Sequence, residues 1–286
     1  MWREKVMVKI STESTADLEH LFKQEEINVI PLIVNLGGSD YSDGEDIFAQ
    51  DIFKFYDENK QLPKTSARSI GEYVEYFSSL TADGSEVVHI CLSSELSCTY
   101  SNAAAAAEEV EGVYVINSQS LSTGIGLLVL KAVDYKKEGK SAQEIVELIT
   151  ELVPRVQASF MVDTMEYLHK GGRCSGVTKL VAGVLKIKPT LYLKDGKIEV
   201  GQKYMGSFSK NILKYVEATF NKNNNPDLDR IFITHTYSSD EDVQKVREKI
   251  VEMYPGFKQI IETHAGSTIT SHCGKNTLGI LYINKE

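Results

Sequence analysis

Cysteine is scarce in this chain. There are four in 286 residues, Cys91, Cys98, Cys174 and Cys273, and no two form a CxxC pair. That spacing argues against a disulfide framework or a cysteine zinc site and predicts free thiols. The motifs HExxH, GxxxxGK[ST] and GxSxG are all missing, so zinc-hydrolase, phosphate-loop and serine-elbow chemistry lack their usual carriers. Gly124-Ile125-Gly126 lacks the third glycine of a dinucleotide fingerprint and predicts close helix packing instead. Positive charge is not in excess: Lys and Arg total 31 against 40 Asp and Glu, a net charge of −9, which disfavours a nucleic-acid partner. Long hydrophobic runs are also absent. The longest, around Gly124 to Leu130, is far too short to span a bilayer, and Met1 to Ile10 lacks the apolar stretch of a signal peptide. A cytoplasmic protein with no stable membrane insertion is expected, with no catalytic residue, metal or cofactor of its own.

Apolar residues make up 42%, enough for a large core and a lined cavity besides. Strand and helix patterns alternate through the first half. Strands are predicted at Val6 to Ile10, Ile27 to Asn35, Glu86 to Leu92 and Val113 to Asn117. Helices are predicted at Asp17 to Gln24, Asp46 to Asn59, Tyr73 to Leu80, Asn102 to Val110 and up to Lys137, where Gly139 serves as the C-cap. Ser69 with Glu72 and Ser141 with Glu144 are capping boxes, the second opening a helix that reaches about Val153. After Pro154 the pattern changes. Ser159 to Asp163 reads as a strand and Tyr167 to Ile187 as a helix in two pieces around Gly171-Gly172. Asp195-Gly196 marks a type I′ hairpin between Pro189 to Lys194 and Lys197 to Lys203. A helix at Phe208 to Phe220, a loop at Asn221 to Asp227, a strand at Arg230 to Thr234, a helix at Asp240 to Tyr254, and strands at Gln259 to Thr263 and Leu278 to Ile283 complete the chain. The fold class is α/β in two domains: an N-terminal parallel-sheet α/β domain, residues 1–156, and a C-terminal α+β domain, residues 157–286, with the ligand between them.

Ligands of open α/β sheets bind outside the carboxyl ends of the strands. The loops expected there are rich in small hydroxyl residues: Ser11 to Thr15, Ser93 to Thr99, Asn117 to Ser120, and the turn Lys64 to Ser69. Hydroxyls and helix N-termini supply donors for an anion, although each loop by itself is better explained as caps and turns. His20, His89, His169, His235 and His264 read as surface or core residues, and the charged helix Asp240 to Glu252 as a solvated face.

Five segments together resemble the DegV family, which includes the fatty-acid-binding subunits of bacterial two-component fatty acid kinases. They are STESTADL (Ser11 to Leu18), KTSARS (Lys64 to Ser69), SSELSCTYS (Ser93 to Ser101), DTMEYLHKGGR (Asp163 to Arg173) and HCGKNTLG (His272 to Gly279). The resemblance implies a long-chain fatty acid in a tunnel between the domains. It implies that Thr65 and Ser97, with Ser66 beside them, bind the carboxylate, and that His272 belongs to the same polar network. It further implies that Arg173 engages a separate ATP-dependent kinase subunit, which phosphorylates the bound carboxylate. A monomer is expected. Cys98 stands where the family usually has glycine, and Lys275-Asn276 where it has Pro-Gly; Asn276 can still take a left-handed turn. Two other readings remain open: a lipid hydrolase using Ser97 and His272, and a binder of a small polar anion.

Overall fold

The computed structural model describes residues 6–174, 187–220 and 224–286. The chain is mixed α/β, with a parallel sheet in its N-terminal part and a sheet with helices in its C-terminal part. The first half supplies β1 (Val8–Glu13), α1 (His20–Gln24), β2 (Asn28–Ile30), β3 (Ile33–Leu36), β4 (Ser39–Ser42), α2 (Ala49–Asn59), β5 (Lys64–Ser66), α3 (Ile70–Thr81), β6 (Glu86–Cys91), α4 (Thr99–Glu109), β7 (Val113–Asn117), α5 (Thr123–Lys137) and α6 (Ala142–Leu152). Strands β2-β1-β6-β7 form a wholly parallel sheet in that order. The second half supplies β8 (Val156–Met161), α7 (Glu166–Gly171), β9 (Ile187–Lys194), β10 (Lys197–Met205), α8 (Phe208–Thr219), β11 (Pro226–His235), α9 (Asp240–Met253), β12 (Gln259–His264), α10 (Ser267–Cys273) and β13 (Leu278–Asn284). Its six-stranded sheet runs β10-β9-β8-β13-β11-β12, antiparallel except for the β11–β12 pair.

Local chemistry explains most boundaries. Both capping boxes form: Ser69 accepts from Glu72 N–H at 3.3 Å and Ser141 from Glu144 N–H at 3.3 Å, while each glutamate reaches back to its serine N–H. Asp195 and Gly196 have φ of 50° and 78°, the left-handed pair a type I′ turn needs. Gly139 has φ 83° just beyond α5. Gly124 and Gly126 pack closely: a Cβ on Gly126 would lie 2.7 Å from Leu18 and 3.0 Å from the Ala16 carbonyl.

Several expectations are corrected. Ser11 to Glu13 continue β1 rather than forming a turn, because Ser11 and Thr12 pair with both β2 and β6. The strand expected at Ile27 to Asn35 is two strands in two sheets. Pro31, which lacks a ladder N–H, separates β2 from β3. The turn at Lys64 to Ser66 is β5, antiparallel to β3 in a small three-stranded sheet with β4. The helix expected from Asp17 starts only at His20, because Asp17 and Glu19 adopt positive φ. His272 and Cys273 lie on α10, where no helix was expected, since its β-branched and serine-rich sequence has weak helix propensity. Of the second piece of the helix predicted through Ile187, residues 175–186 lie outside the described residues and Ile187 opens β9; of the predicted Asn221 to Asp227 loop, residues 221–223 lie outside them, and Pro226 and Asp227 belong to β11.

The largest buried apolar cluster joins both halves. It runs from Ile10, Leu18 and Ile90 through α5 to Phe160, Leu191, Phe232 and Leu281. A second cluster lies under α8 and α9, and a third between α3, α4 and the parallel sheet. The sheets therefore share packed material instead of meeting across water.

Candidate functional site

Strand β5, the loop before α4, the end of α7 and one face of α10 enclose a cavity of about 360 Å³. Its polar lining is Thr65, Ser66, Ser97, Thr268, His272 and Arg173, and its apolar walls include Leu32, Leu92, Leu96, Leu121, Leu168 and Ile269. The structure thus brings all five residues singled out in the sequence, Thr65, Ser66, Ser97, His272 and Arg173, to one void. Thr65 Oγ1 and His272 Nε2 are 2.8 Å apart, a hydrogen bond spanning 207 residues of sequence. Ser97 accepts from Thr99 N–H at 3.3 Å at the start of α4. No hydrogen bond joins Ser97 to His272 among the described residues.

His272 is held in an unusual state. Burial, and then the nearby Arg173 guanidinium, push its imidazole down to about 4, so it is neutral near pH 7. Its Nδ1 is shut off from solvent without a partner among the described residues. The paired glycines that precede Arg173 do two different jobs here. A Cβ on Gly171 would fall 2.6 Å from His272 Nδ1, so glycine allows the ring to pack against the end of α7. Gly172 takes φ 70° and caps α7 by donating to the Leu168 carbonyl at 3.2 Å. Arg173 is exposed, and its Nη1 donates to the Gly171 carbonyl at 2.7 Å. Cys98, also lining the cavity, is exposed and takes the N-cap position of α4. Asn276 takes the left-handed turn with φ 58°, and Lys275 Nζ lies 5.9 Å from the Phe53 ring centre.

Sequence reasoning missed three buried acids that build this site, Asp17, Asp43 and Glu13. Asp17 accepts from Gly266 N–H at 2.9 Å and Asp43 from Ser267 N–H at 2.7 Å, so two N-terminal-half carboxylates anchor the first residues of α10, the helix that carries His272. Burial, with the Asp43 charge adding to it, holds the Asp17 carboxyl well above the usual range. Glu13 is fully buried; Tyr73 and Thr99 hydroxyls donate to it at 2.9 and 2.6 Å and Leu92 N–H at 2.9 Å. Burial alone would raise its carboxyl, but His89 at 3.9 Å and these donors hold it below the ordinary value. Glu13 thereby ties β1 to α3 and to the α4 start beside Ser97. The acids in STESTADL carried the signal, hidden among its hydroxyls: Ser11 and Thr12, read as ligand donors, instead bond His89 and the Ile90 carbonyl. Glu13, His89 and Cys91 also bring metal-binding atoms within 4.8 Å of one another, but the Glu13 oxygens already serve the structural donors. His20 and His169 are exposed and His89 and His235 buried. A second cavity, of about 490 Å³, lies at the N-terminal end of α10, lined by Asp17, Asp43, Phe48 and His264 among others, and shares no lining residue with the first.

No helix among the described residues is long and apolar enough to cross a membrane. A DegV domain-containing protein of Caldanaerobacter subterraneus subsp. tengcongensis is 31% identical over 281 residues, 97% of this chain and 99% of that protein. A fatty-acid-binding DegV family protein from Thermus thermophilus superposes with a TM-score of 0.88 at 28% identity, covering 98% of this chain and all of that one. DegV from Bacillus subtilis, a fatty acid binding protein, superposes with a TM-score of 0.83 at 28% identity over 98% of this chain. The family model described as "Uncharacterised protein, DegV family" matches residues 7–285, and the chain belongs to the DegV family.

Proposed function

We propose that this protein binds a long-chain fatty acid between its halves, residues 1–156 and 157–286, and presents the carboxylate to a separate ATP-dependent kinase subunit for conversion to an acyl phosphate. The observation that carries the proposal is a cavity with hydroxyls and a neutral histidine at one part of its wall and leucine and isoleucine elsewhere. Fatty acid binding by the Thermus thermophilus and Bacillus subtilis relatives supports it. A buried carboxylate requires hydrogen-bond donors. With Nε2–H of neutral His272 donating to Thr65 Oγ1, the Thr65 hydroxyl hydrogen is free to reach the carboxylate, and Ser97 and Ser66 supply further hydroxyls. Burial of about fourteen methylenes gives roughly 11 kcal/mol gross, so the tail supplies affinity and the head group orientation. Arg173, exposed beside the head group, is the candidate contact for the kinase. In this reading the chain is a cytoplasmic, monomeric carrier that needs no cofactor and leaves the chemistry to its partner.

The hydrolase alternative needs His272 as the base for Ser97, yet its Nε2 is paired with Thr65. A small polar anion would leave the leucine walls unfilled. The test is organic extraction of the purified protein and mass spectrometry, followed by palmitate titration. A co-purified long-chain acid, and palmitate affinity lost in Thr65→Val, are expected. Recovery of only small polar metabolites, with no palmitate binding, overturns the reading.

A further inference from the structure

Thr268 adds a feature to the cavity that none of the family-like segments contains. Its residue is 4% exposed, it lines the cavity, and its Oγ1 has no hydrogen-bond partner among the described residues. The other hydroxyls of α10 are all satisfied: Ser267 donates to the Ile47 carbonyl at 2.9 Å, Thr270 to Ala265 at 3.2 Å and Ser271 to Ser267 at 2.7 Å. Ser271 bonds back one turn in the ordinary way of a helical hydroxyl, and Ser267 and Thr270 reach carbonyls outside that pattern. Thr268 makes none of these bonds: its Oγ1 is closed off and unpaired, while the residue itself borders the void. Residues four apart share one face of a helix, so Thr268 stands one turn before His272 on the cavity side. Buried polar groups are otherwise paired, and an orphan lining a cavity marks a place where a ligand atom completes the bond.

We infer that Thr268 Oγ1 donates a hydrogen bond to the head group of the bound acid, as a further hydroxyl alongside Thr65 and Ser97. The inference rests on the proposed fatty acid site. The neutral state of His272 leaves the carboxylate without an imidazolium in this wall, so neutral donors must do more of the solvation. Two donors from one face of α10, one through Thr65 and one direct, would hold the carboxylate against β5 in a single orientation. The unliganded protein meanwhile keeps an unpaired buried hydroxyl, which costs it stability.

The test compares wild type, Thr268→Val and Thr268→Ser, using palmitate and the uncharged 1-hexadecanol as ligands. Valine matches threonine in shape and lacks the hydroxyl. The expected result is a loss of palmitate affinity of about tenfold or more in Thr268→Val, little change for 1-hexadecanol, and near-wild-type behaviour in Thr268→Ser. The unliganded Thr268→Val protein should melt no lower than wild type. Equal palmitate affinity in wild type and Thr268→Val overturns the inference, as does an equal loss for both ligands. Wild type that binds no palmitate fails the fatty acid reading itself, a distinguishable outcome.

Discussion

Glu13 keeps a negative charge where no water reaches it, and donors from Thr15, Tyr73, Leu92 and Thr99 make that possible. Glu13→Gln would turn one acceptor oxygen into a donor facing donors. A loss of about 2–3 kcal/mol is expected, read from urea unfolding. Gly171 is a residue of a different kind, required for what it leaves out. In Gly171→Ala the new Cβ, 2.6 Å from His272 Nδ1, would displace the ring. The Thr65–His272 bond should break and palmitate affinity should fall by more than thermal stability does; unaltered affinity would show that the ring tolerates the methyl. His272 itself sets a pH response. Its folded value near 4 lies below the ordinary 6.5, so it contributes stability above pH 6.5 that is lost as pH falls toward 4. Wild type should therefore lose stability relative to His272→Gln across that interval, as followed by thermal unfolding.

At the scale of elements, helices α6 and α10 are held by devices whose effects are separable. Helix α6 starts at the Ser141–Glu144 box, remote from the cavity. Ser141→Ala should cost about 1 kcal/mol in denaturant unfolding and leave ligand affinity unchanged, which makes it a control for the site variants. Helix α10 is short and weakly helical by composition, and it depends on Asp17 and Asp43 to satisfy its first N–H groups. These boxes and the Asp195-Gly196 hairpin were legible in sequence because caps and tight turns are local. The existence of α10, the division of the Ile27 to Asn35 run at Pro31, and the pairing of Lys64 to Ser66 were not. Each depends on a partner remote in sequence.

For the whole molecule, the halves are joined by the shared apolar cluster and by polar links across it. His264 Nδ1 and Glu19 Oε1 are 2.9 Å apart, linking the end of β12 to the segment before α1. The hydrogen bond to Glu19 raises the His264 imidazole, and the same partner lowers the Glu19 carboxyl against its burial. A raised histidine contributes stability that is complete below its unfolded value of 6.5 and lost as pH rises through its folded value. Relative to His264→Gln, wild type should gain stability as pH falls from about 8 to about 6; parallel curves for the two proteins would rule out this link. Bound fatty acid should add stability by mass action, about 2.7 kcal/mol at a hundredfold excess over Kd.

The sequence by itself determined the alternation of strands and helices, the caps, the hairpin and the family, because these are written in local spacing and in short motifs. It also named Thr65, Ser66, Ser97, Arg173 and His272, through family-like segments spread over most of the chain. Only the tertiary structure decided that they line one cavity, that His272 is neutral and pressed against Gly171, and that Asp17, Asp43 and Glu13 hold the surrounding elements. Burial, and the hydrogen bonds that make burial tolerable, are properties of positions in space, and neighbours in space here stand up to about two hundred and fifty residues apart in the chain.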